Sequence, residues 1–285
     1  MGIAKSVERS KDAAVVEVDH WIYGVVEGVG YTTKAASRGL SVSLYEGHLR
    51  GHYTPIRPAL VQSESPVDLQ MIHPVGSGED FLLSRISRGH PDEAGRPTFR
   101  NHTAVAPAEV LRSGRITLEA VYRALGEFDQ KAADLSGEMD PLKVPSRSGD
   151  AGGLFFGPGI HRYLTFPALE TLATRMMADP RSRTLLLCRD STPDTRNTTL
   201  CLLVELLTWA CGLPPFSAIS DAPTASAMNF FRLVVAPRGV RADASWALLE
   251  SAAIAPALPR ISGQDRVYEA LAEAFRHPKA PRSAR

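Results

Sequence analysis

Cysteine is scarce in this chain: Cys188, Cys201 and Cys211 are the only three among 285 residues, and no two form a CxxC pair. An odd set with that spacing excludes a secreted disulfide framework and completes no structural zinc pattern. The thiols read instead as buried side chains, since Cys188 follows Leu185-Leu186-Leu187 and Cys201 lies among leucines. Long apolar runs are also missing. The closest candidate, Leu200 to Leu213, is interrupted by Glu205 and falls short of the ~18–20 residues of a membrane span. Residues 1–14 carry Lys5, Glu8, Arg9, Lys11 and Asp12 and lack the apolar stretch of about 7–15 residues that a secretory signal needs. Neither sign of charge dominates, with 32 Lys and Arg against 31 Asp and Glu. That balance removes the electrostatic case for nucleic acid or an anionic membrane as the main partner. The expectation is a cytoplasmic protein.

What is present is a globular composition, 44% apolar and 22% charged, which excludes wholesale disorder. Between residues 15 and 133 the runs are short, rich in Val, Ile, Tyr and Thr, and broken by glycine. Strands are predicted at Val15–Val26, Leu69–His73, Asp80–Ser87 and Thr98–Ala106. Helices are predicted at Ala108–Arg112 and from Thr117 to Lys131, where Leu118, Val121, Tyr122, Leu125 and Phe128 recur at the helical period and Thr117 can cap. Residues 134–158 turn to Gly, Pro, Ser and charge and predict a linker or mobile loop.

The second half, residues 159–277, alternates. Helices are expected at Phe166–Ala178, Asn197–Cys211, Ala244–Ala253 and Gln264–His277, and strands at Thr184–Cys188, Phe216–Ile219 and Phe230–Ala236. The fold class is therefore α+β, with a β-rich N-terminal half and a C-terminal half of alternating helices and strands. Residues 1–14 and 278–285 read as tails, the second one basic.

The chemistry-bearing motifs are incomplete ones. Gly24-x3-Gly28-x-Gly30 has dehydrogenase-like glycine spacing, but Tyr31 and the β-branched Thr32-Thr33 follow and no Tyr-x-x-x-Lys pair occurs, so a glycine-punctuated hairpin is expected. Gly152-Gly153 and Gly157-Pro158-Gly159 precede Ile160 and His161 where a phosphate-binding loop needs Lys. No G-x-S-x-G elbow exists, and Gly76-Ser77-Gly78 reads as a turn. Thr192-Pro193-Asp194, after the strand at Thr184–Cys188, reads as a turn feeding a helix N-terminus with Asp194 near the dipole. His48 and His52 are four apart, yet Gly47, Gly51 and Pro55 argue against the helix that would align them for a metal. No metal and no cofactor is expected.

One segment reads as a recognition surface. Arg85, Arg88, His90, Arg96, Arg100 and His102 crowd together around a hairpin tip at Gly89–Gly95, and clustered guanidinium groups suit bidentate capture of phosphate or carboxylate.

Tyr23-Gly24 with Glu27 and Gly28, then Ser37 with Gly39-Leu40, then Gly95-Arg96 with Asn101-His102-Thr103, and last Leu213-Pro214 with Phe216-Ser217 and Phe230-Arg232-Leu233 form a collinear series. Their order resembles the N-terminal domain family of GTPase-associated proteins from prokaryotic conflict systems, across about residues 20–236. Glu27 and Val29 stand where that family has Asp and His. The resemblance implies a non-catalytic adaptor or regulatory module that works by protein–protein contact beside a separately encoded GTPase or other NTPase. Two alternatives stand beside it. One is an enzyme of unrecognised type acting on a small anionic substrate through His102 or His161; the other is a nucleic-acid-associated factor using the basic tail.

Overall fold

A computed structural model of the chain describes residues 15–49, 68–131, 135–146, 164–179, 181–188, 192–221, 230–241 and 244–251. The tails, His52, His161, the 152–159 glycine stretch and the helix expected at Gln264–His277 lie outside the described residues.

The N-terminal strands are β1 (Val15–Val26), β2 (Gly30–Ser37), β3 (Asp68–Val75), β4 (Asp80–Gly89) and β5 (Thr98–Pro107). A helix over 42–49 (α1) lies between β2 and β3. After β5 come α2 (Ala108–Arg112), α3 (Leu118–Lys131), β6 (Gly137–Met139) and β7 (Leu142–Pro145). The second half gives α4 (Phe166–Ala178), β8 (Arg183–Cys188), α5 (Pro193–Glu205) ending in a π-type turn over Leu206–Ala210, then β9 (Ala218–Ser220), β10 (Leu233–Pro237) and β11 (Trp246–Glu250). The fold is α+β and rich in β-structure.

All eleven strands join one mixed sheet, in the order β11-β8-β10-β9-β3-β4-β5-β1-β2-β6, with β7 pairing β1. The β11, β8, β10 and β9 ladders are parallel, and those from β3 through β2 are antiparallel. Antiparallel pairing of Met71 with Ile219 and of Ile72 with Ala218 joins the two regions. Strand alternation then sends side chains to two cores. Val18, Ile72, Phe81, Leu83 and Ala104 pack with Leu118, Val121, Leu125, Leu169, Leu172, Leu200 and Leu203 of α3, α4 and α5. Trp21, Met71, Leu82, Ile86, Phe99 and Val234 pack on the other face, together with Leu49, Tyr45 and Val42 of α1.

Each helix has a local cause. Thr165 and Thr192 cap α4 and α5 by accepting from Ala168 N and Thr195 N, with Pro in the first turn of each. Asp194 lies in the first turn of α5, as its sequence position suggests. Thr117 Oγ1 accepts from Ala120 N at 3.1 Å, and Glu205, buried in the leucine-rich α5, accepts from Leu118 N. One glutamate thus ends the apolar run and also caps a second helix. No helix of the described residues is long and apolar enough to cross a membrane.

Several expectations are corrected. The helix predicted at Ala244–Ala253 is strand β11 over Trp246–Glu250, in parallel register with β8. The open edge of β8 outweighs the helix propensity of Ala, Leu and Glu there. The linker predicted at 134–158 contains β6 and β7: Val144 pairs with Val16 and Leu142 with Val18, and both Leu142 and Val144 are buried; residues 147–158 lie outside the described ones. Gly47 does not prevent a helix over 42–49, which includes His48. The Gly24–Gly30 stretch forms the expected hairpin, with Gly28 and Gly30 at φ 70° and 91° and a bulge between Ile22 and Tyr23.

Candidate functional site

The β4–β5 hairpin is where the sequence places it. Its tip is tied by Asp92, whose Oδ1 accepts from Ala94 N and Arg96 N while Oδ2 meets Arg96 Nε at 2.7 Å. Across from it lies the β1–β2 hairpin, and Gly28 N donates to Glu93 Oε1 at 3.3 Å, bridging the two tips. A cleft of about 1010 Å³ opens between these hairpins and the C-terminal end of α3. Gly24, Glu27, Gly28 and Lys34 line one side, Arg88, His90, Arg96 and Arg100 another, and Asp129, Gln130 and Ser136 close it.

Of the six residues singled out in the sequence, Arg85, Arg88, His90, Arg96 and Arg100 line this cleft. His102 does not; its side chain is 1% exposed beneath it. Most of the guanidinium charge is also answered inside the protein. Arg85 forms a bidentate pair with Asp68, Nε to Oδ1 at 3.0 Å and Nη2 to Oδ2 at 2.9 Å. Arg100 Nη2 lies 2.9 Å from Asp129 Oδ1, and Arg96 is held by Asp92. Arg88 is exposed and Lys34 half-buried; neither makes a salt bridge among the described residues. Those two cations, and the largely exposed Arg96 beside its Asp92 partner, are the charges closest to hand for an incoming group, whereas Arg85 and Arg100 are committed to Asp68 and Asp129.

Below the cleft runs a buried chain of hydrogen bonds. Asp129 Oδ1 lies 2.9 Å from His102 Nδ1, His102 Nε2 lies 2.7 Å from His20 Nδ1, and His20 Nε2 lies 2.8 Å from the Asp140 carbonyl. Phe128 packs edge-on against His20 and tilted against His102. Burial pulls His20 down to about 4. It lowers His102 as well, against the raising effect of Asp129. Burial by itself would raise the Asp129 carboxyl, but His102, Arg100 and Arg85 outweigh it and hold that group below the usual carboxylate range.

Sequence reasoning missed Asp129, His20, Lys34 and Asp68. Two of them carried a signal. Asp129 falls four residues after Leu125 on the stripe that buries Val121, Tyr122 and Leu125, and His20 alternates with Val18 and Ile22 on the inward face of β1. A buried acid and a buried histidine each need a polar partner, and here His102 stands between them and bonds both. No group of three or more His, Cys, Asp or Glu among the described residues is placed to hold a metal ion. The cysteines are buried, with Cys188 pushed up to about 11 and Cys211 to about 12 by burial, so they are protonated and inert at neutral pH.

The fold and site define an α+β protein with one mixed sheet and an open cleft, charged side chains among its lining, at the tips of two hairpins. Compared with known families and with curated proteins, the chain matches no family model and no curated protein.

Proposed function

We propose that the chain is a non-catalytic adaptor or regulatory subunit of an NTPase-linked assembly, and that the cleft between the two hairpins receives a segment of its partner. The observation that carries this reading is convergence. Gly24, Glu27 and Gly28 from the first of the collinear motifs and Arg96 from the third line the same cleft, although some 70 residues separate them. Tyr23, Ser37 and Asn101-His102-Thr103 of the same motifs lie in β1, β2 and β5, the strands that flank the cleft-lining turns. Both ring nitrogens of His102 are taken up by His20 and Asp129, which favours a positioning role for it over acid–base work on a substrate.

Lys34→Glu and Arg88→Glu are the informative substitutions, because neither residue supports an internal ion pair among the described residues. Affinity purification of the wild-type chain from its native host is expected to recover an NTPase subunit near one-to-one. The double substitution should abolish that recovery while costing no more than about 1–2 kcal/mol, within about 0.5 from exposed Arg88 and about 1 from half-buried Lys34. Recovery of the wild-type chain alone, or undiminished recovery with the double variant, overturns the assignment.

A further inference from the structure

A carbonyl oxygen carries no proton, so His20 Nε2 must donate to Asp140 O across their 2.8 Å contact. His20 Nδ1 to His102 Nε2 at 2.7 Å and His102 Nδ1 to Asp129 Oδ1 at 2.9 Å also need one proton each. Three contacts therefore require three protons, and two neutral imidazoles supply two. The third belongs either to the carboxyl or to the imidazole pair. Asp129 already accepts from Arg100 at 2.9 Å and faces Arg85 Nη1 at 3.5 Å, which favours its ionised form and leaves the proton on the pair.

We propose that Asp129, His102 and His20 form a proton-operated clasp: holding one proton more than a carboxylate and two neutral imidazoles, the chain fastens the connection between β6 and β7 to β1, and on losing it gives up the His20–Asp140 link first. The order of breakage follows from the fixed end. The Asp129 carboxylate keeps a proton on His102 Nδ1, so neutral His102 must accept at Nε2, and His20 must then donate from Nδ1. Its Nε2 is left as a lone pair against the Asp140 carbonyl, and two acceptors at that separation repel. The break falls at the part-buried end, where water can take over.

The charged groups around the pair act in both directions. Asp129 from α3 favours the extra proton, while Arg100 from β5 and Arg85 from β4 oppose it. From the β6–β7 side the contact is the Asp140 backbone carbonyl, and from β2 the Ser37 hydroxyl, which bonds the His20 backbone. Burial in the Phe128 contact also opposes charge. The clasp therefore closes on the acid side of the ordinary histidine range and opens toward neutral pH. Ser136, just before β6, lines the cleft, so the clasp sets one wall of it.

The test is imidazole nitrogen NMR on the whole chain with 15N-labelled histidine, between about pH 8 and about pH 4, paired with amide hydrogen exchange over residues 137–145. At the alkaline end His20 should be neutral with its proton on Nδ1. In acid one imidazolium should be shared by the pair, and 137–145 amides should become about tenfold better protected after correction for intrinsic rates. A His20 that keeps its proton on Nε2 at alkaline pH, or protection that does not respond to pH, overturns the clasp. Asp129→Asn removes the charge that fixes the order and should let His20 keep its Nε2 proton at alkaline pH. Should that variant not fold, the wild-type spectra decide the question alone.

Discussion

His20 is expected to tighten a local contact and weaken the whole fold under the same change of pH. In the folded chain burial holds it at about 4, against 6.5 for a free histidine. The unfolded chain therefore binds the proton first as pH falls, so the stability contributed by neutral His20 is complete above about pH 6.5 and is lost on the way to about pH 4. The expected loss is on the order of 2–3 kcal/mol. Urea unfolding at a series of pH values should show it, and His20→Gln should flatten that slope. An unchanged slope would mean that the acid sensitivity lies elsewhere. A second residue-scale prediction concerns Gly78, at φ +94°, where a Cβ would run into the Pro215 ring. Gly78→Ala combines left-handed strain with overpacking and should cost about 2–4 kcal/mol. A substitution at Gly28 (φ +70°), whose Cβ would meet nothing within 4 Å, should cost less than that.

At the scale of elements, Glu205 ties two helices together. Its carboxylate accepts from Leu118 N at the buried start of α3, although it belongs to α5. Glu205→Leu would fit the apolar surroundings but leave that amide without its partner, and a buried unmet donor costs about 1–3 kcal/mol. Reduced helical circular dichroism together with faster exchange in 118–122 is the expected signature; loss of stability without fraying of α3 would assign Glu205 another role. The same element shows what the sequence could and could not reveal. A single acid in Leu200–Leu213 was legible as a break in an apolar run, but its partner 87 residues away was not. The long strands β1, β4 and β5 were legible as runs of β-favouring residues bounded by turn signals, and helices α3 and α4 by the helical spacing of their apolar residues. β6 and β7 span three and four residues, too short for a period, and only their neighbours make them strands. β11 was misread because its partner β8 lies some 60 residues earlier, and pairing overrides a helix-forming composition. The arginine cluster was visible, with Asp92 inside it, but not that Asp68 and Asp129, from distant elements, answer two more of its charges.

The whole molecule poses the question of whether its two differently textured halves behave as one. Composition suggests a seam, yet the sheet crosses it at β3 and β9. Leu118, Val121 and Leu125 of the first half share a core with Leu169, Leu172 and Leu200 of the second. A polar thread follows the same path: Ser220 Oγ donates to Asn197 Oδ1, Asn197 Nδ2 donates to Tyr122 at 2.9 Å, and Tyr122 and Arg85 both reach Asp68. Neither half can leave without exposing the other's apolar face and stranding buried polar groups, so unfolding should be cooperative across the boundary. Leu125→Ala and Leu172→Ala lie on opposite sides of it and should each cost about 2–5 kcal/mol. If the coupling holds, both shift one transition, with the same midpoint whether followed by far-ultraviolet circular dichroism or by tryptophan fluorescence from Trp21 in β1, Trp209 in the π-type turn and Trp246 in β11. If the halves are independent, the transition splits, and each substitution moves only the step of its own half. A single shared step would also mean that a ligand bound between the two N-terminal hairpins stabilises β8, β10 and β11, far from the cleft, by the same free energy.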